Sequence, residues 1–196
     1  MERARTRGAR PPEPLKYWTQ LPLMQLKSAM TARDHARGPA TARVTLTTYG
    51  DYECRASREA DRIVRRLEMD LGDDLRVVFR HFPLAEEHRH ARAAAEIAEA
   101  ASLQGRFWDM HDALFEQQDR VLNGDLLAIA HDLGLDMAQL LSDAGSQEIA
   151  QRVDFDLQRG TASGVDETPA VFLNGVRYLG AWSYDSMMGA IRGGDA

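Results

Sequence analysis

Residues 44 to 82 read as strand, helix, strand, with a cysteine at the first junction, and few folds accept that arrangement. Val44-Thr-Leu-Thr-Thr-Tyr49 is β-branched and aromatic, and Gly50-Asp51 marks its exit. From Arg55 to Leu71 the apolar residues Ile63, Val64, Leu67 and Leu71 recur at helical spacing, with Gly72 as the stop. Leu75 to Phe82 reads as a second, largely buried strand. Two strands joined through such a helix lie parallel, with a right-handed crossover. Cys54, the one cysteine of the chain, falls where the first strand gives way to the helix. A sulfur at a helix N-terminus feels unpaired backbone N–H groups and the positive end of the helix dipole, which favour thiolate over thiol. Three residues on, where a dithiol site would carry its second sulfur, stands Ser57.

After Pro83 the pattern is helical for a long stretch, with segments over Ala91 to Leu103, Phe107 to Phe115, Asp125 to Leu133, Met137 to Leu141 and Gln147 to Ala162. This block is too long for a connection and reads as a helical subdomain, about residues 84–162, inserted into the α/β unit. Strand character returns in Ala170-Val-Phe-Leu173 and Val176-Arg-Tyr-Leu179. Between them Asn174-Gly175 suits a two-residue type I′ turn. Ser183 to Ile191 makes a closing helix, capped by Ser183. The predicted architecture is α/β, in the order βαβ, helical insert, ββα.

Charge divides the chain. Residues 1–43 hold nine Lys/Arg against three Asp/Glu, leaving fifteen against twenty-seven for the rest, a net of −12. An acidic body of this kind excludes nucleic acid as the main partner. Residues 1–33 are expected to form a basic arm, disordered over Met1 to Pro14 and weakly helical over Leu15 to Met30, with residues 34–196 as the globular domain. No stretch approaches the ~20 apolar residues of a membrane span. The N-terminus lacks the apolar run of a secretory signal, and a single cysteine excludes an internal disulfide, so a cytoplasmic location is expected.

Several separated blocks carry a resemblance to a known family. Asp34-His35 with Gly38-Pro39, the run from Val44 through Asp51-Tyr-Glu-Cys54, Phe79-Arg-His-Phe-Pro-Leu84, Gln104-Gly-Arg-Phe-Trp-Asp-Met-His111, Gly164-Val-Asp-Glu-Thr-Pro169 and Phe172-Leu-Asn-Gly175 resemble, in that order, the DsbA-like thiol oxidoreductases. The resemblance spans roughly residues 34 to 192. It implies a thioredoxin fold carrying a helical insertion, in the bacterial branch where the fold is preceded by a short arm. DsbA-like domains also occur fused to membrane antiporters.

By position, the resemblance implies that Cys54 is the nucleophilic cysteine and that Thr168 and a cis Pro169 face it across the active site as substrate-binding residues. An X-Pro bond reaches the cis form for only about 0.5–1 kcal/mol, and its turn exposes a backbone edge on which an extended peptide can pair. The departure lies in the motif. The family's usual Cys-Pro-Tyr-Cys is here Cys54-Arg55-Ala56-Ser57, and a hydroxyl cannot resolve a mixed disulfide as a second thiolate does. Arg55 adds positive charge beside the sulfur, while Asp51, Glu53 and Glu59 oppose it. For Ser57 two readings stand open: a hydrogen-bond donor to the thiolate, or a serine on the helix surface.

Other candidates point to packing. His81, His88, His90, His111 and His131 show no ligand spacing on one helical face, so no metal is expected. Trp108, Met110 and Phe115 suit the core of the insert, and Asp109 and His111, two apart, face different sides of a helix. Three functions remain. The first is a monothiol thiol–disulfide oxidoreductase, with no bound cofactor, that acts on protein or peptide thiols and disulfides and takes glutathione or another small thiol as co-substrate. The second is a redox-inactive peptide-binding or chaperone-like module. The third, a glutathione-dependent conjugating or cluster-carrying protein, is weakened by the lack of a glycine-rich active-site tetrapeptide.

Overall fold

The structure, a computed structural model, describes residues 25–193. Five strands form one mixed sheet in the order β1-β3-β2-β4-β5: β1 His35–Arg37, β2 Val44–Gly50, β3 Leu75–His81, β4 Ala170–Leu173 and β5 Val176–Arg177. Helix α1, Arg55–Leu71, joins β2 to β3, which pair in parallel from Val44 opposite Leu75 to Gly50 opposite His81. Strand β4 runs antiparallel to β2, and β5 returns beside β4 through Asn174 and Gly175, both at positive φ as the type I′ turn requires.

The period-2 alternation of the strands decides what covers each face. Val44, Leu46, Leu75, Val77 and Val171 point to one side and pack with Val64 and Leu67 of α1 and Met187, Met188 and Ile191 of α8, Tyr184–Gly193. Tyr49, Ala170 and Phe172 point to the other, against Phe82, Val165 and Leu157. The insert runs through α2 Ala91–Leu103, α3 Phe107–Glu116, α4 Gln118–Leu122, α5 Leu126–Asp132, α6 Met137–Ala144 and α7 Gln147–Ala162. It has its own core, where Met110, Leu114, Ile129 and Leu140 are fully buried, and that core continues to the sheet through Tyr52 and Phe79. Met110 and Phe115 pack there, with Trp108 half-buried against both clusters.

Three elements depart from the sequence reading. Strand β1 was not expected, because His-Ala-Arg carries no β-branched signal; it is held at the sheet edge by antiparallel pairing of His35 with Phe79. Gly38 leaves it at φ +86, where a Cβ would stand 2.3 Å from the Leu75 carbonyl oxygen. The short α4 was also unforeseen. The helix expected over Leu15 to Met30 is not helical in its described part, residues 25–30. There Gln25 bridges Val176, and Leu26 N–H donates to Gly175 O at 2.9 Å, so the segment extends the sheet beyond β5. Residues 1–24 of the expected arm lie outside the described residues.

A buried ion cluster anchors this entry segment. Arg80, fully buried on β3, donates to Asp34 Oδ1 at 2.7 Å and to the Tyr49 hydroxyl at 2.9 Å, and Arg159 of α7 adds a bond to Asp34 at 3.0 Å. Burial would raise the Asp34 carboxyl, but the bonds from Arg80, the Thr31 N–H and Arg159 outweigh it and leave it below its ordinary value.

Candidate active site

Cys54 is the N-cap of α1, with extended dihedrals of −71° and 117°, and is half-buried. Its thiol donates to the Thr168 carbonyl oxygen across 3.2 Å, and the Thr168-Pro169 peptide bond is cis. The residues that the sequence brought forward as nucleophile and facing loop are therefore in contact, although 114 positions separate them. Thr168 is itself buried, and its Oγ1 has no hydrogen-bond partner among the described residues.

The turn from β2 into α1 is pinned from several sides. Asp51, buried at its centre, accepts from Glu53 N–H at 2.8 Å, from Leu84 N–H at 2.9 Å and from His88 Nδ1 at 2.8 Å. Glu53, also buried, accepts from the His90 backbone N–H. Two of the acids expected to oppose the thiolate are thus spent on holding loops, while exposed Glu59 pairs with Arg62 at 2.8 Å. Ser57 corrects one of its two readings, since it is buried rather than on the surface, and its hydroxyl oxygen accepts from Asp51 N–H at 3.3 Å, which leaves its O–H as a donor. The hydroxyl at the resolving position thus serves the turn. Arg55 is exposed at the first position of α1.

Sequence reasoning missed Gln118. Buried at the start of α4, it donates through Nε2 to Tyr52 O at 2.9 Å and to Cys54 O at 3.0 Å, strapping the cysteine turn to the insert. A glutamine at a break between two helices gives no signal of its own, since its partners are backbone atoms far away in sequence.

Behind the turn, Tyr52, His111 and Asp61 form a buried chain. Tyr52 Oη stands 3.0 Å from His111 Nδ1, and His111 Nε2 stands 3.2 Å from Asp61 Oδ1. Asp61 also accepts from Arg65 at 2.7 Å. Burial, only partly offset by Asp61, lowers the His111 pKa. Burial and the charges of Glu99, Asp61 and Asp112 push the Tyr52 phenol well up. Burial would raise Asp61, but the bond and charge of His111 and then Arg65 outweigh it and leave it lowered. A neutral His111 that accepts from Tyr52 and donates to Asp61 fits its own lowered pKa and the raised Tyr52, and Asp61 then keeps the His111 bond and the Arg65 charge. Asp109 is exposed against Arg106, so Asp109 and His111 do face different sides of α3.

Of the other histidines, His131 is exposed and His88 serves Asp51. His81 and His35 converge on the buried Glu99 of α2, at 3.1 and 2.9 Å. Burial would raise that carboxyl, but bonds from His35 and His81 and their charges take it far below the ordinary carboxylate range.

Comparison with known proteins agrees with the geometry. The chain is 40% identical over 159 residues to the Na(+)/H(+) antiporter NhaA 1 of Salinispora arenicola, covering 81% of this chain and 24% of that protein. It is 42% identical over 166 residues to the Na(+)/H(+) antiporter NhaA of Nitrosospira multiformis, covering 83% and 26%. The chain thus spans about a quarter of the length of these curated relatives, and no helix among the described residues is long and apolar enough to cross a membrane. Among solved structures, a thioredoxin-like oxidoreductase from Silicibacter pomeroyi DSS-3 superposes with a TM-score of 0.75 at 25% identity, covering 85% of this chain and 95% of that one. BdbD from Bacillus subtilis, in its oxidised form, shares the fold with a TM-score of 0.71 at 23% identity, covering 82% and 91%. A family model described as thioredoxin matches residues 30–192, and with Cys54 on its helix cap beside the cis-proline loop, the chain belongs to the DsbA-like thioredoxin-fold oxidoreductase family.

Proposed function

We propose that this protein is a monothiol thiol–disulfide oxidoreductase whose nucleophile is Cys54. The observation that carries the proposal is the half-exposed sulfur on the N-cap of α1, within 3.2 Å of the cis-proline loop, in a chain with no second cysteine. In the first step the Cys54 thiolate attacks one sulfur of a protein–glutathione mixed disulfide. The S–S bond breaks, Cys54 becomes glutathionylated, and the protein leaves as thiolate. In the second step a glutathione thiolate attacks the Cys54–glutathione disulfide, which releases oxidised glutathione and restores Cys54. Overall, one glutathione thiol is consumed and the protein–glutathione disulfide is exchanged for a protein thiol and oxidised glutathione, and no bound cofactor is required. Thr168 and Pro169 supply the backbone edge on which the substrate peptide lies, and a compartment rich in small thiols, such as the cytoplasm, suits this cycle. The transport activity named for the antiporter relatives is not assigned to this domain.

A second reading, a peptide-binding module without redox turnover, is favoured by the bond from the Cys54 thiol to the Thr168 carbonyl, an acceptor that suits S–H and offers nothing to a thiolate. One experiment separates the two. The protein is incubated with a glutathionylated peptide and reduced glutathione, and both turnover and the intact mass of the protein are followed. Catalytic release of the peptide, with a transient single-glutathione adduct that is lost in Cys54→Ala, is expected. Peptide binding that survives Cys54→Ala, with no adduct and no turnover, would leave the binding module.

A further inference from the structure

We propose that Arg58 binds the glycine carboxylate of glutathione and so selects the disulfide with which Cys54 exchanges. The inference rests on the monothiol reading and adds to it the group that recognises the small thiol. Arg58 follows Cys54 by one helical turn, and its backbone N–H donates to Cys54 O at 3.2 Å. Residues four apart share a helix face, with Cβ atoms about 5–6 Å apart, and a helical side chain leans towards the N-terminus. The Arg58 stem therefore lies back towards the sulfur. It is half-buried, and its Nε is buried without a hydrogen-bond partner. Its Nη1 and Nη2 are neither buried nor bonded among the described residues, so a held guanidinium offers two free donor groups beside the thiol.

The carboxylates that could have taken those donors are committed elsewhere. In the turn, Asp51 and Glu53 hold backbone N–H groups; on α1, Glu59 pairs with Arg62 and Asp61 with Arg65, which also takes Glu116 of α3. Arg55, exposed at the start of α1, and Arg89, which precedes the residue whose N–H Glu53 holds, likewise have no acidic partner among the described residues. From residue 44 onward the chain carries fifteen Lys/Arg against twenty-seven Asp/Glu. Three arginines left without an acid around one sulfur make a local positive field on an acidic body.

Across the sulfur the lining changes sign. Thr168, whose carbonyl meets the Cys54 thiol, is preceded by exposed Asp166 and Glu167, which lie 3.9 and 3.8 Å from Arg177. Thr168 is only 9% exposed and its Oγ1 has no partner, a second hydrogen-bonding group at the sulfur that the protein leaves unused. Glutathione has ends to match. Its cysteine lies between a γ-glutamyl group, which carries an ammonium beside its carboxylate, and a glycine, which carries a carboxylate alone. With its sulfur at Cys54, the ammonium end suits Asp166 and Glu167, and the lone carboxylate suits Arg58, whose two Nη groups can bond both oxygens. In the exchange the Cys54 thiolate attacks one sulfur of oxidised glutathione, the S–S bond breaks, a Cys54–glutathione disulfide forms and the other glutathione leaves as thiolate.

The test follows single-turnover exchange of the full chain with two disulfides, oxidised glutathione and the same molecule esterified at both glycine carboxylates, and takes the ratio of the two rates. A change in the thiolate fraction of Cys54 alters both rates alike and leaves the ratio unmoved. Compared with a short cysteine peptide that lacks arginine, the parent is expected to favour the free acid by about tenfold, and less so as salt is raised. Arg58→Met should bring the ratio to the peptide's value, and Arg192→Met, which removes the same charge from the last turn of α8, should leave it intact. Exchange at the peptide's ratio, or a preference that survives Arg58→Met, overturns this site alone. Exchange with neither disulfide overturns the monothiol reading with it. Should Arg58→Met fail to fold, the parent decides by salt: a preference that shrinks supports the site, and one that does not overturns it.

Discussion

Replacing Gln118 by methionine removes two hydrogen bonds while keeping the side chain's length and volume, so the cost of the lost donors is read without a cavity. The Gln118 amide donates to Tyr52 O and Cys54 O from a buried position. Cys54 O keeps a second donor, the Arg58 N–H at 3.2 Å, so its loss is that of an ordinary bond, about 0.5–1.5 kcal/mol. Tyr52 O loses its amide donor while buried under the insert, which costs about 1–3 kcal/mol. The sum is a destabilisation of roughly 1.5–4.5 kcal/mol, measured as a lower urea midpoint at unchanged slope. Because the lost bonds strap the cysteine turn, iodoacetamide should also alkylate Cys54 faster in Gln118→Met than in the parent, under conditions where both are folded. Gln118→Glu gives an independent check. Ionised, its carboxylate would face two carbonyl oxygens, so its pKa is raised in the fold. Stability gained from the protonated form is complete at low pH and lost as pH rises through that raised value. The Glu variant should therefore approach the parent as pH falls. A Met variant within about 0.5 kcal/mol of the parent, or a Glu deficit indifferent to pH, would refute the strap.

Ser57→Cys is expected to form an internal disulfide with Cys54 under mild oxidation, seen as the loss of two hydrogens in the intact mass, and to make disulfide reduction less dependent on glutathione; failure to form it would show that the buried rotamer of residue 57 cannot reach the sulfur. His111→Gln should flatten the pH dependence of stability: the folded His111 pKa lies below its ordinary 6.5, so the unfolded chain binds more protons as pH falls, and the parent loses stability below about 6.5 that the variant does not. Equal slopes in the two proteins would contradict that. In Gly160→Ala, helix propensity gains about 1 kcal/mol. The new Cβ, however, meets Phe82 at 2.6 Å and Tyr49 at 3.0 Å, both buried, and overpacking costs about 1–3 kcal/mol. A net loss in a thermal melt is expected, and a gain would show that the two rings can yield.

What could be read from the sequence follows from the range over which each interaction acts. Helix α1 declares itself by local periodicity and strands β2, β3 and β4 by short β-branched and apolar runs, because both sheet faces are covered and each pattern is set within a few residues. Cys54 was legible from its place at a strand-to-helix junction, whereas Thr168-Pro169 was placed opposite it by the resemblance to the DsbA-like family. Strand β1 was not, since three residues without β-branched character are placed only by pairing with Phe79. Gln118, Asp51 and the His35–His81–Glu99 cluster were equally hidden: their partners lie 18 or more positions away along the chain, apart from the local bonds of Asp51 to Glu53 N–H and Ser57 Oγ. The burial of Ser57 was hidden because a serine three residues into a helix looks exposed until the turn before it folds back over its hydroxyl.

These long-range contacts bear on why the helical insert belongs to the site. The sheet and α1 alone would present a cysteine on a helix cap, but little in them would hold the turn that carries it. Gln118 from α4 fixes the carbonyls of Tyr52 and Cys54, His111 from α3 fixes the Tyr52 hydroxyl, and His88, on the approach to α2, fixes Asp51. A turn braced in this way has little freedom left to adjust around a substrate. For the proposed monothiol cycle this matters more than in a dithiol site, because no second thiol three residues away would rescue a badly oriented mixed disulfide. In that cycle orientation would have to be set before the substrate arrives, and the insert supplies three of the groups that would set it.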